Sequence, residues 1–152
     1  MTDPPPVVGV LRTRVEWIDT DASGIYHNST VTRFVEAAEA RLMTDRGVHG
    51  YFPVAPRVRY EAHFEAPLYF EQDATVTLTL ARVGTSSMRW EFEVWGEEFD
   101  GLPRTRAAHG SYVTVHIGAQ DGTRRPRRST PWPPAWLHAL GTSTATEPVD
   151  ET

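Results

Sequence analysis

The apolar residues of this 152-residue chain change their spacing at one point, and that change limits the folds that the chain can adopt. From about Ser29 to Arg46 they recur at every third or fourth position, which predicts one amphipathic helix with a single apolar stripe. Beyond this segment the spacing falls to two, as in strands that are buried on one face. The stripe consists of Val31, Phe34, Val35, Ala38 and Leu42. A helix of this length, about 27 Å, is long enough to cross a small domain.

Several runs with strand character surround the helix, one before it and four after it. The predicted strands are 7–18, 57–64, 74–83, 88–94 and 105–117, and a short helix is predicted at 134–140. In the first strand, Trp17 is expected on the same face as Leu11. Short turns join the later strands, so we expect them to pair antiparallel. We therefore predict an α+β fold in which a curved antiparallel sheet wraps around one long central helix.

Length and composition fit one domain with its own core. We expect this domain to span residues 7–140, between a flexible N-terminus at 1–6 and a disordered tail at 141–152. A hydrophobic content of 39% is typical of a globular chain. No apolar run approaches the roughly 20 residues that cross a bilayer, and the first residues are unlike a signal peptide. We therefore expect a cytoplasmic protein with no membrane partner.

The charges and the missing cysteines exclude several kinds of site. A net charge of −5 argues against nucleic acid as a partner. The absence of cysteine excludes disulfides, thiolate chemistry and Cys-ligated metals. The histidines are scattered over different elements without metal-ligand spacing, so we expect neither a metal nor a cofactor. Arginine supplies all 15 basic residues, which we interpret as the codon bias of a GC-rich, bacterial genome.

A polar loop lies between the first strand and the helix, and it holds the best candidates for chemistry. It contains the carboxylates of Asp19 and Asp21, followed by Gly24, His27 and Asn28. The helix that follows presents free backbone N–H groups and partial positive charge at its first turn. A carboxylate directed at an acyl carbon, with N–H donors directed at the acyl oxygen, is the minimal equipment for hydrolysing an ester or thioester. Asp19, at the strand end, is the weaker candidate and is expected to be a solvated or capping residue.

The order of these residues resembles that of the hotdog-fold thioesterases, specifically the 4-hydroxybenzoyl-CoA thioesterase-like branch. The resemblance extends from about Val10 to Leu140. Its motifs are Asp21-Ala22-Ser23-Gly24, His27-Asn28, Arg33-Phe34-Val35-Glu36, Phe64-Glu65-Ala66-Pro67 and the turn Val83-Gly84-Thr85-Ser86-Ser87. The resemblance implies a hotdog fold and a thioesterase that acts on an acyl-CoA or acyl-carrier-protein substrate. It also implies a homodimer with sites shared between subunits, or a homotetramer built from two such dimers.

Roles for the loop residues follow from the same resemblance. Asp21 is then the catalytic nucleophile, or the general base that activates water, and the backbone N–H at Asn28 polarises the thioester oxygen. The residues alone leave two alternatives open, a turn role for Asp21 and a helix-capping role for the Asn28 side chain. Gly24 is expected to adopt a positive φ or to let the acyl group approach the backbone. His27 is expected to line the pocket or to hydrogen-bond the loop, with direct catalysis as its alternative.

Aromatic side chains are the candidates for lining the acyl pocket, although aromatics at such positions also build ordinary cores. They are Tyr26, Phe34, Tyr60 and Phe64. Glu36 lies away from the apolar stripe of the helix. The resemblance makes it a second choice for catalysis, because a catalytic helix glutamate occurs in a different branch of these enzymes. Its alternative role is an ion pair with Arg33.

A second group of residues is expected to bind the coenzyme A or carrier portion of the substrate. Relatives often have a basic residue in the turn that here holds Ser86 and Ser87, and this turn has none. Contacts to phosphates or to an acidic carrier are then expected from arginines, whose guanidinium groups suit both. These arginines are Arg124, Arg125, Arg127 and Arg128, and their alternative is a solvated basic loop. The alternative functions are a hotdog dehydratase, a non-hydrolytic acyl-binding protein and a purely structural dimeric module.

Overall fold

In the computed structural model, which describes residues 6–119, 122 and 127–142, one long helix lies against an antiparallel sheet. The strands are β1 (Val8–Arg14), β2 (Arg57–Phe64), β3 (Asp73–Val83), β4 (Ser87–Gly96) and β5 (Thr105–Val115), and the helices are α1 (Asn28–Asp45) and α2 (Pro134–Ala139). Neither helix of this described part is long and apolar enough to cross a membrane. The predicted flexible ends, 1–6 and 141–152, lie largely outside the described residues.

The five strands form a single sheet in the order β1-β3-β4-β5-β2, and every neighbouring pair is antiparallel. The connections from β3 to β4 and from β4 to β5 join strands that are neighbours in the sheet, as their short turns predicted. The first two strands, which are separated in sequence by α1, become the two edges of the sheet. The predicted α+β architecture is therefore confirmed.

The apolar stripe of α1 faces the sheet, as predicted, and all its members are buried. The helix packs mainly on β1 and β3. Close approach depends on Gly9 in β1, because a Cβ atom there would lie 3.2 Å from the Cβ of Leu42. The sheet contributes Leu78, Trp90 and Phe92, which are also buried. Each such side chain contributes about 1.5–3 kcal/mol through its removal from water.

The first predicted strand is too long. It ends at Arg14, and residues Trp17–Asp19 form a short 3-10 helix instead. The cause is a local hydrogen bond, since the Asp19 carboxylate accepts the Glu16 backbone N–H at 2.8 Å and turns the chain away from the sheet. Trp17 was expected on the same strand face as Leu11; it lies in the 3-10 helix instead and is 76% exposed.

One edge strand, β2, keeps part of its inward face open to solvent. Tyr60 and Phe64 occupy positions typical of core residues in the sequence, yet both are exposed, Phe64 by 52%. The helix α1 packs mainly over β1 and β3, towards the other edge of the sheet. A groove therefore remains between α1 and β2.

The chain that follows β5 covers the end of the sheet remote from the polar loop. Trp132 donates its indole N–H to the Ser87 carbonyl at 3.1 Å and stacks on Tyr51 with ring centroids 5.9 Å apart. The short helix predicted at 134–140 is confirmed as α2, which buries Leu137. Thr142, which was expected to belong to the tail, is described, and its backbone N–H donates to the Leu137 carbonyl at 2.8 Å.

Candidate active site

The polar loop folds into a tight turn that holds Asp21 at its surface. The Asp21 backbone N–H donates to the Ile25 carbonyl at 2.9 Å, and the Gly24 N–H donates to the Asp21 carbonyl at 3.0 Å. Gly24 has a φ of 81°, a value that favours glycine, so the positive φ proposed for it is present. The turn thereby closes on its own backbone and leaves the Asp21 side chain exposed.

The Asp21 carboxylate is stabilised in its ionised form. Its Oδ1 accepts the Ser23 hydroxyl and also the Ser23 backbone N–H at 2.8 Å. These two hydrogen bonds, the hydroxyl first, hold the pKa of Asp21 below its usual value. Asp21 is therefore an exposed, negatively charged carboxylate at neutral pH, as a nucleophile or a general base must be.

The start of α1 is capped by His27, so the helix-capping role left open for the Asn28 side chain is wrong. Nδ1 of His27 accepts the Ser29 backbone N–H at 3.1 Å, and the His27 carbonyl accepts the Thr30 N–H at 2.9 Å. His27 Nδ1 also lies 2.7 Å from the Ser29 hydroxyl oxygen. Asn28 is the first helical residue, and its backbone N–H has no acceptor among the described residues. The first turn of α1 therefore keeps a free donor at the Asn28 position.

Asp21 and Asn28 lie on the same open groove, which has a volume of about 520 Å³. Its walls are the loop and the segment that leaves β2; they comprise Asp21, Ile25, Tyr26, His27, Asn28, Phe64, Glu65, Ala66 and Pro67. A smaller groove of about 340 Å³ shares Asn28 and Phe64 with it and continues between α1 and β2. We call the first the loop groove and the second, lined by Asn28, Ser29, Thr32, Tyr60, Ala62 and Phe64, the helix groove.

Asp19 has a structural role that the sequence did not reveal. Its side chain is 2% exposed rather than solvated, and it accepts the Arg33 Nε–H at 3.0 Å. Its backbone carbonyl accepts the His27 N–H at 2.6 Å and the Thr30 hydroxyl at 2.8 Å. Asp19 thus ties the loop to the first turns of α1. The pairing was hidden because Arg33 is 14 positions away in sequence.

The ion pair expected between Glu36 and Arg33 does not form. Arg33 pairs with Asp19 instead, and the Glu36 carboxylate lies 3.7 Å from Nη1 of Arg57 on β2. Glu36 also lines neither groove.

The predicted aromatic lining divides into two sets. Tyr60 and Phe64 line the helix groove, and Phe64 and Tyr26 meet at the loop groove with ring centroids 6.3 Å apart. Tyr26 is nevertheless mostly buried, and its hydroxyl donates to the Ala107 carbonyl at 3.4 Å. The assignment of Phe34 to the acyl pocket is corrected, because Phe34 lies on the sheet-facing stripe of α1 and is 1% exposed.

Those of the residues predicted to bind coenzyme A that the structure describes lie at the other end of the sheet from Asp21. The Ser86 carbonyl accepts the His116 N–H at 2.8 Å, and Arg127 donates to the Gly118 carbonyl at 2.9 Å. β3 separates this end from the loop by its 11 residues, or roughly 35 Å. Within one chain, Ser86, Ser87, Arg127 and Arg128 therefore do not join the loop groove. Arg124 and Arg125 lie outside the described residues.

Glu65 is a second carboxylate of the loop groove, and the sequence did not single it out. It pairs with Nε of Arg106 at 2.8 Å and with His109, and hydrogen bonds from Arg106 first and His109 second lower its pKa. Its position in the Phe64–Pro67 motif was the available signal. Among the described residues, no three His, Asp or Glu side chains are grouped as metal ligands.

Comparison with known proteins places this arrangement in a family. Residues 15–140 match the sequence model of the thioesterase-like superfamily. No curated protein sequence matches the chain.

Solved structures with a similar fold include 1,4-dihydroxy-2-naphthoyl-CoA thioesterase from Synechocystis, at 17% identity and a TM-score of 0.75 over 88% of this chain and 96% of that one. The 4-hydroxybenzoyl-CoA thioesterase from Pseudomonas sp. strain CBS-3 is 17% identical, with a TM-score of 0.76 over 87% of this chain and 98% of that one. The dynemicin thioesterase is 16% identical, with a TM-score of 0.76 over 88% of this chain and 95% of that one.

These likenesses agree with the hotdog fold, and the family match covers most of the chain, including the loop, α1 and all of the sheet after β1. The chain therefore belongs to the thioesterase-like superfamily, and thioester hydrolysis is the class of reaction that this membership assigns to it.

Proposed function

We propose that the protein hydrolyses acyl-CoA thioesters at the loop groove, with Asp21 as the reacting carboxylate and the Asn28 backbone N–H as the donor to the thioester oxygen. The observation that carries this proposal is that an ionised, exposed carboxylate and a free helix N-terminal N–H line one groove. The solved structures that resemble the chain include two enzymes described as acyl-CoA thioesterases.

In this mechanism the thioester oxygen lies at the first turn of α1. The Asn28 N–H and the partial positive charge of the helix N-terminus stabilise the negative charge that develops on this oxygen. One such donor typically contributes about 3–4 kcal/mol to the stability of the transition state. His27 supports the arrangement by capping the helix through Ser29, so that the cap does not use the Asn28 N–H.

The low pKa of Asp21 favours attack on the thioester carbon over general-base catalysis. A general base is most effective when its pKa is near the working pH, and the Ser23 hydrogen bonds shift Asp21 away from it. As a nucleophile, Asp21 forms a bond from Oδ to the acyl carbon, and the carbon–sulfur bond breaks with release of the thiolate. Water then hydrolyses the resulting anhydride and restores the carboxylate.

A homodimer supports the site by supplying what one chain lacks. β2 pairs only with β5 among the described strands, so its other edge is open, and an open edge strand favours pairing with another strand. Antiparallel pairing of β2 with the partner's β2 places the start of one strand beside the end of the other. The partner subunit's Ser86 and the partner subunit's Arg127 then lie on the side of the loop groove, which accounts for their distance from Asp21 within one chain.

The arginines after β5 are proposed to contact the phosphates of coenzyme A. Arg128 is exposed and Arg127 is half-buried, and neither forms an ion pair within the described residues. Guanidinium groups bind phosphate oxygens in a bidentate manner, so these side chains suit a nucleotide. An acidic acyl carrier protein is the competing substrate for the same surface.

Thiol release from matched substrates tests this proposal. Acyl-CoA, acyl-carrier-protein and acyl-pantetheine thioesters with one acyl group are compared in the wild type and in the double variant Arg127→Gln/Arg128→Gln. We expect KM for acyl-CoA to rise and kcat to stay nearly constant, because contacts remote from the carbonyl stabilise ground and transition states alike. This rise in KM should become smaller as the salt concentration increases, and KM for acyl-pantetheine should be the same in the wild type and the double variant. A rise in KM for the carrier substrate alone indicates the carrier, and equal losses on all three overturn the phosphate assignment.

A further inference from the structure

A charged cluster that the reaction itself does not use lies just beyond the helix groove, close enough to the groove residue Tyr60 for Arg57 and Glu36 to influence its pKa. Thr32 and Glu36 follow Asn28 at successive turns of α1, so the three positions form one row along the helix. Glu36 lies eight residues after Asn28, or about 12 Å along the helix axis. Across the groove, β2 presents Phe64 near Asn28, then Ala62 and Tyr60. The groove is thus polar at the Asn28 end and apolar in its middle.

In the middle of the helix groove, the aromatic wall carries no polar group without a hydrogen-bond partner. Burial, offset in part by a hydrogen bond with Thr32, raises the pKa of Tyr60, so the hydroxyl stays neutral and has a partner. The Tyr60 ring stacks on Tyr112 with centroids 6.3 Å apart, and the Arg57 guanidinium lies 4.5 Å from the centroid of the same Tyr112 ring. Tyr112 therefore connects the apolar wall directly to Arg57.

Arg57 is held by two carboxylates of α1 but is not fully used by them. Nη2 lies 3.1 Å from the buried Glu39 carboxylate, and Nη1 lies 3.7 Å from the half-exposed Glu36 carboxylate. Nε of Arg57 is buried and has no acceptor among the described residues, although the side chain as a whole is 21% exposed. An acceptor oxygen is missing from this cluster, and a buried donor without an acceptor is costly.

The charges decide which chemical group suits the cluster. Two carboxylates and one guanidinium carry a formal charge of −1, so an added carboxylate is repelled. A methyl group leaves the polar atoms without partners. A hydroxyl can accept a hydrogen bond from Arg57 and donate one to Glu36 at the same time.

We propose that the cluster of Glu36, Glu39 and Arg57 selects thioesters whose acyl group carries a neutral hydroxyl about 12 Å from the thioester carbon. This inference rests on the proposed function, because it places the acyl group in the helix groove with its carbonyl at Asn28. The body of the acyl group between these ends is apolar, to match Ala62, Tyr60 and Phe64.

Three CoA thioesters of equal chain length test the inference: decanoyl, 10-hydroxydecanoyl and the ω-carboxy analogue. In the wild type we expect kcat/KM for the hydroxylated substrate to exceed that of each of the other two by about tenfold, the usual effect of one hydrogen bond to a charged group. In Glu36→Leu this preference should fall to about onefold to threefold. Glu36 is half-exposed, so this variant should fold. Asp45→Leu, which removes the exposed carboxylate at the other end of α1, is the matched control and should keep the full preference.

Binding of two non-hydrolysable thioethers, decyl-CoA and 10-hydroxydecyl-CoA, separates this inference from the proposed function. Calorimetry should show tighter binding of the hydroxylated thioether by about tenfold in the wild type and a lost difference in Glu36→Leu. Equal binding of the two thioethers overturns the inference, whether or not the thioesters are hydrolysed. Failure to hydrolyse any thioester, with the binding preference intact, overturns the proposed function alone.

Discussion

Asp19 and Asp21 are two positions apart, yet one carboxylate is buried and paired with Arg33 while the other is exposed on the loop groove. The first holds the loop to α1, and the second is the carboxylate for which we propose the reaction. On this proposal, stability and activity depend on different residues of one short segment.

Substitution of Asp19 should therefore lower the free energy of unfolding, whereas substitution of Asp21 should not. Asp19→Ala leaves the Glu16 N–H without its acceptor and removes the Arg33 pair, which should lower the free energy of unfolding by about 1–3 kcal/mol. Asp21→Ala should leave this free energy within about 0.5 kcal/mol of the wild type, because the side chain is exposed. Urea denaturation followed by circular dichroism measures both. Equal destabilisation by the two variants contradicts the assignment.

The hydrogen bonds from Ser23 should set the acid limit of activity. Because they lower the pKa of Asp21, the reactive ionised form persists to lower pH than it does for an ordinary aspartate. Ser23→Ala removes the hydroxyl bond, which is the larger cause, so the pKa rises and the acid limb of kcat/KM moves to higher pH. Ser29→Ala, which also removes one serine hydroxyl close to the loop groove, is the control and should leave the acid limb of kcat/KM in place. An unmoved acid limb in Ser23→Ala excludes Asp21 as the group that titrates there.

The helix and the strands could be predicted from the sequence, because they depend on local residue spacing. The stripe of α1 and the strand predicted at 88–94 follow from helix and strand geometry, and the structure confirms both. The burial of Asp19 was not available, because it depends on Arg33 across the loop. Trp17 was misjudged for a different reason, since a local turn closed by the Asp19 carboxylate ends the strand before it.

The position of each strand within the sheet could not be predicted from the sequence pattern either. Tyr60 and Phe64 alternate as core residues do, but β2 lies at an edge and leaves them exposed. Ser86 and Ser87 belong with Asp21 by family resemblance, yet the length of β3 places them at the opposite end of the same chain. Residue patterns define the faces of strands, whereas the order of strands decides which faces remain open.

Breaking the buried pair of Glu39 and Arg57 should destabilise the fold. Arg57→Met leaves the fully buried Glu39 carboxylate without its cation, and loss of one partner of a buried pair typically costs about 3–5 kcal/mol. Burial already raises the pKa of Glu39, so the folded state takes up a proton at higher pH than the unfolded state. The deficit should therefore be largest at neutral pH and above, and it should shrink as the pH falls. Glu39→Gln/Arg57→Met should recover most of the loss in urea denaturation, and a deficit independent of pH contradicts a charged Glu39.

The open edge of β2 should mediate dimerisation. We expect the wild type to sediment as a dimer or a larger oligomer at micromolar concentration, and Val58→Lys should shift it towards a monomer. Val10→Lys places the same charge at an equally exposed position on β1, the other edge, and should leave the dimer intact. A monomeric wild type, or equal dissociation by both variants, contradicts the assembly through β2.

Thiol release by Asp21→Asn from an acyl-CoA that the wild type turns over is the most direct test of the central claim. Asp45→Asn, which makes the same change in an exposed carboxylate at the far end of α1, is the control. We expect Asp21→Asn to lose at least about three orders of magnitude in kcat, while its unfolding curve and its affinity for a non-hydrolysable acyl-CoA analogue stay those of the wild type. Asp45→Asn should keep full turnover. Wild-type turnover by Asp21→Asn would contradict the account, because the carboxylate on which it depends would then have no part in the chemistry.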